Sequence, residues 1–232
     1  PGSTIGILGG GQLGQMAALS AAALGYRCHV YSPDANAPAK EIAAAQTTAP
    51  YEDEEAARAF ADAVDVVTFE FENVPDETLA IIAKGAPVRP GVHALHVSQN
   101  RALEKAFLND NGIGTAPWAA IVTAEDLKPA AMVGFPAILK TARFGYDGKG
   151  QVRVNAVDDL AAAWAEIGQV PAVLEGFIDF EREISVIVAR AAGGDTRSYV
   201  PVDNVHRDHI LFTTTAPSTI DDSTAKAAEA IS

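Results

Sequence analysis

Glycines and lysines around position 145 form the group of residues with the clearest chemical potential. Lys140 ends the apolar run that starts at Phe135, and four residues later comes Phe144-Gly145-Tyr146-Asp147-Gly148-Lys149-Gly150-Gln151. Glycines let backbone N–H groups approach a ligand closely, and lysine ammonium groups balance negative charge. Arg143 adds another cation next to the loop. The combination indicates a site for the phosphates of ATP, although the loop lacks the P-loop pattern.

A second glycine group lies near the N-terminus. Gly9-Gly10-Gly11-Gln12-Leu13-Gly14 matches G-x-G-x-x-G directly after the apolar segment Thr4 to Leu8. Such a turn opens a helix whose N-terminal N–H groups can seat a phosphate, or it is a tight turn without a ligand. An NAD site also needs an acidic residue at the end of the second strand, and here Asp34 comes late, behind Pro33. NAD is therefore not favoured.

Two carboxylates follow the apolar segment that ends at Phe69. Glu70 and Glu72 would point to the same side if strand alternation continued, with Asn73 next to them. They come where a parallel strand leaves its sheet, which is the edge that binds ligands in open α/β sheets. This placement favours recognition of hydroxyl or amine groups, and the alternative is a pair of solvated charges on a loop.

Glu175 ends another apolar segment and is followed by Gly176-Phe177-Ile178. A backbone turn beside a carboxylate can receive the edge of an adenine ring, but an ordinary strand end has the same appearance. Glu183 follows and is suited to accept ribose hydroxyls, unless it is a surface acid. These three features are candidates for the nucleoside part of the same ligand.

Two histidines bracket a predicted hairpin turn. His206 and His209, together with Asp203 and Asp208, are residue types that bind zinc. A third soft ligand is not evident in the sequence, so we expect no metal site here.

Composition excludes several classes of function. The chain has 232 residues and a net charge of −13, which argues against a nucleic-acid or anionic-membrane surface. The single cysteine, Cys28, lies in an apolar run and excludes an intramolecular disulfide, in keeping with a reducing cytoplasm. The N-terminus enters a strand pattern at Thr4 without a signal-peptide pattern, and we expect no membrane-spanning segment.

Residues 1–98 alternate between apolar strand patterns and helix patterns. This alternation predicts a parallel sheet covered on both faces, which is a small Rossmann-like domain. The expected strands are Thr4–Leu8, Arg27–Tyr31, a weak one near Gln46–Thr48, Val64–Phe69 and Pro87–Arg89. The expected helices are Gln12–Leu24, Glu52–Ala63 and Asp76–Lys84.

The rest of the chain predicts a different architecture. Residues 99–171 are expected to form a small α+β lid that carries the glycine loop, and residues 172–232 to begin an antiparallel sheet. The expected elements include strands at Trp118–Val122, Ala137–Thr141, Gln151–Val154, Ala172–Phe177, Glu183–Ala192, Arg197–Val205 and His209–Thr214, and helices at Asn100–Asn111, Ala124–Met132 and Val157–Ile167. A final helix begins at Asp221, and the architecture is expected to be incomplete at the C-terminus.

Taken together, these features resemble the ATP-grasp superfamily and, within it, the N5-carboxyaminoimidazole ribonucleotide synthetases of purine biosynthesis. The resemblance covers essentially the whole chain. It is carried by Gly11-Gln12-Leu13-Gly14-Gln15-Met16, Glu70-Phe71-Glu72-Asn73-Val74-Pro75, Thr115-Ala116-Pro117-Trp118 and Gly145-Tyr146-Asp147-Gly148-Lys149-Gly150-Gln151. The implied fold is an N-terminal pre-ATP-grasp domain followed by an ATP-grasp α+β domain that is truncated at its C-terminus.

The resemblance implies two binding sites and a reaction centre. The residues implied to bind ATP are Arg101, Lys140, Gly145, Tyr146, Asp147, Gly148, Lys149, Gly150, Gln151, Glu175, Gly176, Phe177, Ile178, Glu183 and His206. Those implied at the aminoimidazole ribonucleotide are Gly11, Gln12 and Leu13, to which the carboxylate argument adds Glu70 and Glu72. Tyr146, Asp147 and Lys149 would face the reacting groups, and we hypothesise that Asp147 orients the amine or bicarbonate.

The implied activity is a ligase reaction in which ATP, bicarbonate and 5-aminoimidazole ribonucleotide are the substrates. The resemblance also implies a homodimer and a magnesium ion whose acidic ligands are expected beyond residue 232, so the chain by itself is expected to show little turnover. An NAD-dependent oxidoreductase and a non-catalytic nucleotide-binding module remain as alternatives. Among ATP-grasp enzymes, formyl-transferring purine enzymes and biotin carboxylase are the near neighbours.

Overall fold

A computed structural model describes residues 1–145 and 149–232 of the chain. The polypeptide divides into two units, Pro1–Glu104 and Lys105–Ser232, and each is described by itself below. Helix α5, defined below, contains the division, which falls six residues after the boundary expected at residue 98. Within the described ranges, no helix has the length and apolar character needed to cross a membrane.

The first unit is built on a four-stranded parallel sheet with the order β3-β2-β1-β4. Its strands are β1 Thr4–Leu8, β2 Arg27–Tyr31, β3 Ala45–Thr47 and β4 Val66–Phe69. Its helices are α1 Gln12–Ala23, α2 Glu54–Asp62, α3 Asp76–Gly85 and α4 Val92–Ser98. A 3-10 turn at Pro38–Glu41 precedes β3. The predicted parallel-sheet domain is confirmed.

Both faces of this sheet are buried, as a parallel sheet requires. Ile7 and Val30 pack on one face with Ala18 of α1, whereas the next residues, Leu8 and Tyr31, pack on the other with side chains of α2 and α3. Because successive strand residues point to opposite faces, the strands are apolar without alternation. This explains why β1 and β2 have the bounds expected from the sequence.

The expected strand at Pro87–Arg89 is wrong. Val67 N–H donates to Pro87 O, and Arg89 N–H donates to Val67 O, each at 2.8 Å. The pairing is a single parallel bridge between Val67 and Val88. Pro87 has no N–H group, so the ladder cannot continue toward the N-terminus of this segment. Helix α4, which follows, was not expected because only seven residues carry its pattern.

Asp53 caps helix α2, and its side chain accepts a hydrogen bond of 3.0 Å from Ala56 N–H. We expect Asp53→Ala to lower the free energy of unfolding of this unit by about 1 kcal/mol, because one N–H of the first turn loses its partner. Asp53→Ser should retain most of the stability. Urea denaturation measures the change. Asp62→Ala, in the last turn of the same helix, is the matched control, and equal losses for the two alanine variants would contradict the capping role.

The second unit begins with a four-stranded antiparallel sheet of order β5-β8-β6-β7. The side chains of Ile121, Leu139, Leu174 and Trp164 form much of its core. Its strands are β5 Trp118–Ile121, β6 Ala137–Thr141, β7 Gln151–Val154 and β8 Ala172–Gly176. The helices are α5 Arg101–Asp110, of which the part from Lys105 onward belongs to this unit, α6 Leu127–Ala130 and α7 Leu160–Glu166. The two predicted helices after β5 and β7 are shorter than expected because each begins as a 3-10 turn.

The expected subdomain boundary at residue 171 is wrong. Strand β8 begins at Ala172 and lies between β5 and β6, so a division there would remove a central strand from the first sheet. The sequence suggests a new subdomain at this point because β8 follows a helix, and its partners in the sheet, β5 and β6, lie much earlier in the chain. The boundary between the two sheets lies after β8.

The remaining residues form a three-stranded antiparallel sheet of order β13-β12-β9 and a separate hairpin of β10 and β11. These strands are β9 Glu183–Ser185, β10 Val188–Arg190, β11 Thr196–Ser198, β12 Val202–Arg207 and β13 Ile210–Thr215, and the last helix is α8 Asp222–Ile231. The single strands expected at 183–192 and 197–205 are each divided between the two sheets. In the second of them the break contains Pro201, which cannot donate to a ladder. The antiparallel character is as predicted.

Candidate functional site

Lys140 and Glu175 form an ion pair at the end of the first sheet of the second unit. In the register of β6 and β8, Lys140 lies opposite Val173, and Glu175 lies opposite Ile138. The two side chains are therefore on the same face as diagonal neighbours. The Nζ atom of Lys140 donates to Oε2 of Glu175 at 2.9 Å. The sequence identifies both residues as candidates but gives no reason to expect contact between them.

A third member of this group, Lys105, was not found by sequence reasoning. Its Nζ atom lies 3.3 Å from Oε1 of Glu175, so one carboxylate is held between two ammonium groups. Lys105 is located on α5, four residues after Arg101, and residues at this spacing share a helix face. This spacing from Arg101, a residue implied to bind ATP, is the signal in the sequence that could have identified Lys105. The group Lys105, Glu175 and Lys140, called the lysine–glutamate cluster below, has a formal charge of +1 in an acidic chain.

The glycine loop ends beside this cluster. Gln151, its last residue, is the first residue of β7 and is paired with Lys140. Gly150 has a φ of +68°, and its carbonyl accepts a hydrogen bond of 2.8 Å from Thr141 N–H at the end of β6. The loop is therefore anchored at the strand end that carries Lys140. Lys149 is exposed.

Tyr146, Asp147 and Gly148 lie outside the described residues, so their predicted roles stay predictions. Gly145 precedes them without belonging to a strand or helix. Arg143, two residues after β6, has its guanidinium carbon 5.7 Å from the centre of the Phe144 ring. Arg101 is the first residue of α5 and lies in the first unit. Its expected contact with ATP stays a prediction.

The segment after Glu175 makes two hydrogen bonds within the protein. Gly176 N–H donates to Pro117 O at 2.8 Å, and Phe177 N–H donates to Pro136 O at 3.0 Å. An adenine ring at this segment would therefore meet carbonyl groups and side chains rather than these two N–H groups. The Phe177 ring is 43% exposed, and the guanidinium of Arg153 lies 4.6 Å from its centre. Ile178 is 49% exposed and adds apolar surface.

Glu183 and His206 meet on the second sheet of this unit. Glu183 is opposite Asn204 in the register of β9 and β12, which places His206 on the same face. The Nδ1 atom of His206 is 3.4 Å from Oε2 of Glu183. Both side chains line an open cavity of about 520 Å3, whose other walls come from residues 180–182, 203–205 and 215. Glu183 and His206, which the resemblance implies to bind ATP, are thus brought together.

The turn between β12 and β13 adjoins the end of the glycine loop. The Nε2 atom of Gln151 and the Nδ1 atom of His209 are 3.4 Å apart. Over residues 1–145 and 149–232, no three histidine, cysteine, aspartate or glutamate side chains are grouped as a metal ion would require.

The N-terminal glycine turn surrounds a side chain of the protein. Strands β1 and β4 are neighbours, so their carboxyl ends meet and place Glu70 beside the turn that follows β1. Gly11 N–H, at the N-terminus of α1, donates to Oε1 of Glu70 at 2.6 Å. A Cβ atom added to Gly9 would lie 2.7 Å from the same oxygen, and one added to Gly11 would lie 3.0 Å from it. The glycines are needed to accommodate Glu70.

This contact changes the interpretation of the glycine turn. The carboxylate of Glu70 occupies the anion position at the helix N-terminus, and a phosphate placed there would meet a like charge. A phosphate at Gly11, Gln12 and Leu13 is therefore disfavoured, as is the diphosphate of NAD. Asp34, the acidic residue that an NAD site would use, is exposed in a turn beyond the end of β2.

Glu70 and Glu72 do not act as a pair. Strand β4 ends at Phe69, so alternation does not extend to Glu72, which is exposed. The ring of Phe71 stacks on Tyr51 with 5.7 Å between centres. Burial, and secondly the nearby charge of Glu70, raise the pKa of the Tyr51 hydroxyl, which keeps it protonated. This edge of the sheet therefore carries the carboxylate of Glu70, fixed by the N–H of Gly11, and the neutral hydroxyl of Tyr51.

Two family models match the chain. Residues 3–99 match a ribonucleotide synthetase preATP-grasp domain, and residues 106–232 match the ATP-grasp domain. The chain is 48% identical over 231 residues to an N5-carboxyaminoimidazole ribonucleotide synthase from Brucella melitensis, with 98% of this chain and 64% of that protein covered. Its identity to the synthase of the same name from Pseudomonas aeruginosa is 43%, with 92% and 59% covered.

Solved structures of proteins with this name also match the chain. An N5-carboxyaminoimidazole ribonucleotide synthetase in complex with ADP matches with a TM-score of 0.93 and 37% identity, covering 100% of this chain and 62% of that one. The Aspergillus clavatus synthase in complex with ADP and 5-aminoimidazole ribonucleotide matches with a TM-score of 0.88 and 30% identity, covering 99% and 61%. The chain spans less than two thirds of the length of these relatives. The chain belongs to the ATP-grasp family.

Proposed function

We propose that this chain provides the ATP-binding and ribonucleotide-binding parts of an N5-carboxyaminoimidazole ribonucleotide synthase. The reaction is the ATP-dependent carboxylation of 5-aminoimidazole ribonucleotide with bicarbonate, in purine biosynthesis. The observation that carries the proposal is the lysine–glutamate cluster beside the anchored glycine loop, because it concentrates positive charge at one place in a chain of net charge −13. Similarity to synthases of this name supports the choice of reaction.

The nucleotide is proposed to lie along the second unit. Lys140, with the loop from Gly145 to Gln151, would bind its phosphates, and His206 and Arg101 would assist. The segment Glu175 to Ile178 would face adenine through its carbonyls and apolar side chains, since two of its N–H groups are used within the protein. Glu183, in the cavity of about 520 Å3, would accept hydrogen bonds from the ribose hydroxyls.

The aminoimidazole ribonucleotide is proposed to lie at the glycine turn of the first unit, near Gly11, Gln12, Leu13, Glu70 and Glu72. Glu70 is fixed by the N–H of Gly11 and is suited to accept hydrogen bonds from hydroxyl or amine groups. We therefore propose that the sugar or amine of the substrate, rather than its phosphate, faces this turn. The Aspergillus clavatus relative has been solved with this ribonucleotide.

The proposed chemistry needs no covalent nucleophile from the protein. Bicarbonate attacks the γ-phosphate of ATP to give carboxyphosphate and ADP. Carboxyphosphate releases CO2 and phosphate, and the exocyclic amine takes up the CO2. Catalysis of this type depends on positioning and charge neutralisation. Tyr146, Asp147 and Lys149 would face the reacting groups, with Asp147 orienting the amine or bicarbonate.

A magnesium ion would neutralise phosphate charge in such a reaction. The part of the chain that the structure describes contains no cluster of three histidine, cysteine, aspartate or glutamate side chains to hold one. We also propose a homodimer in the cytoplasm, on the basis of the resemblance alone. Sedimentation of the purified protein would test the dimer.

Nucleotide binding by the purified 232-residue chain tests the first part of this proposal. We expect isothermal titration calorimetry to detect binding of ATP and ADP, because Lys140, Glu175 and Glu183 lie in one unit, and to detect no binding of NADH. Adenosine should bind more weakly than ADP, since it cannot use Lys140. Binding of NADH without binding of ADP would contradict the proposal and support an oxidoreductase.

Release of phosphate tests the choice of reaction. It should require bicarbonate and 5-aminoimidazole ribonucleotide together when the protein turns over. A protein that binds ADP but shows no dependence on either substrate would support the nucleotide-binding module instead.

A further inference from the structure

Lys105 has a place in the second unit that the proposed nucleotide contacts do not use. Its side chain is 13% exposed, close to the 12% of Glu175, whereas that of Lys140 is 28% exposed. The two lysines contact different oxygens of the same carboxylate. The cluster therefore has an inner cation, Lys105, and an outer cation, Lys140.

The charges of the cluster have a consequence for ligand binding. Lys140 donates to Glu175 at 2.9 Å, and an ammonium that turns toward a phosphate must weaken this bond. A carboxylate this little exposed is costly to leave without a cation. Because Lys105 stays on the other oxygen, Glu175 keeps a positive partner when Lys140 moves. The cost of releasing Lys140 is therefore lowered.

We propose that Lys105 is a positioning residue for the phosphates of the nucleotide, acting through Glu175 on Lys140. This inference rests on the proposed function, in which Lys140 binds phosphate. Lys105 itself does not touch the nucleotide in this scheme. Its contribution should therefore grow with the phosphate charge of the ligand and should be small for a ligand without phosphates.

Lys105→Met keeps the aliphatic stem and removes the charge. We expect the Kd for ADP to rise about tenfold, since one charge-assisted interaction of Lys140 becomes harder to form. The Kd for adenosine should change much less. Lys105→Arg should restore most of the affinity for ADP. Lys226→Met, an exposed lysine of α8, is the matched control for the loss of one positive charge.

Calorimetric titrations of ADP and adenosine into each variant decide the matter. An unchanged Kd for ADP in Lys105→Met would overturn the inference, and equal losses for ADP and adenosine would show a role in folding instead. If wild type itself fails to bind ADP, the proposed function fails, whereas a failure confined to the variants concerns Lys105 alone.

Two further measurements separate the mechanism from its alternatives. In a Glu175→Gln background, Lys105→Met should have little effect on ADP affinity, because a neutral amide needs no cation. A full loss in that background would mean direct contact with the ligand and would overturn the positioning role. Without any ligand, Lys140 should react more slowly with acetic anhydride in Lys105→Met than in wild type, as read by mass spectrometry. Equal labelling rates would also count against the inference.

Discussion

Replacing Lys140 by methionine is expected to weaken ADP binding by between about tenfold and about a hundredfold, the range for loss of a charge-assisted hydrogen bond to phosphate. Lys140 is carried by the central strand β6 and is held by Glu175 before the ligand arrives, so its side chain is already ordered. A preorganised cation loses little freedom on binding. The effect should exceed that of Lys105→Met, which acts indirectly.

The fold should tolerate this change, which makes the result interpretable. Glu175 retains Lys105 at 3.3 Å after Lys140 is removed, so no carboxylate is left without a cation. The unfolding temperature should therefore stay close to that of wild type, and adenosine should bind nearly as before. Calorimetry with ADP and adenosine, with Lys226→Met in parallel, provides the measurement. Undiminished ADP affinity would remove Lys140 from the phosphate site.

Replacing Gly9 by alanine is expected to lower the free energy of unfolding of the first unit by about 3 kcal/mol. Gly9 has a φ of +106°, a conformation that residues with a side chain adopt at a cost. An added Cβ atom would also lie 2.7 Å from Oε1 of Glu70 and 2.8 Å from both the Cβ and the N atom of Phe71. Backbone strain and overpacking therefore act together.

Urea denaturation followed by circular dichroism measures this loss, with Gly91→Ala as the control. Gly91 precedes α4 at a φ of −63°, and a Cβ atom there would approach no atom of residues 1–145 and 149–232 within 4 Å. Combining Gly9→Ala with Glu70→Ala should recover only part of the stability, because the contact with the Phe71 backbone remains. A stability like that of Gly91→Ala would contradict the tight packing of this turn.

Much of the fold follows from local patterns. The sequence predicts the observed bounds of β1, β2 and β6, because each is a short apolar run ended by polar residues or glycine. The start of α1 was likewise given by the glycine turn. Errors occurred where pairing partners are distant in the chain. The strand expected at Pro87–Arg89 is one bridge, and β8 lies at the centre of a sheet whose other strands precede it.

In the candidate site, too, local features could be predicted from the sequence, whereas contacts between distant residues could not. Lys140 and Glu175 could be selected because these charged residues stand at the ends of apolar segments. Glu183 was selected as an acceptor for ribose hydroxyls, and His206 through the resemblance. Lys105 could not be selected with them, since its relation to Glu175 depends on how α5 packs beside the sheet. At the glycine turn, where the sequence favours a phosphate, the structure places a carboxylate of the protein beside the N–H of Gly11.

The sequence by itself therefore determined the family, the two-part architecture and most of the charged residues, because glycine turns, apolar runs and strand-end lysines are local features with local physical causes. Only the tertiary structure decided which charges meet. The carboxylate of Glu175 lies between two lysines, and that of Glu70 lies at the N-terminus of α1. Strand β8 belongs to the first sheet of its unit. Electrostatic energies depend on distances of a few ångströms between residues far apart in the chain, and folding sets those distances.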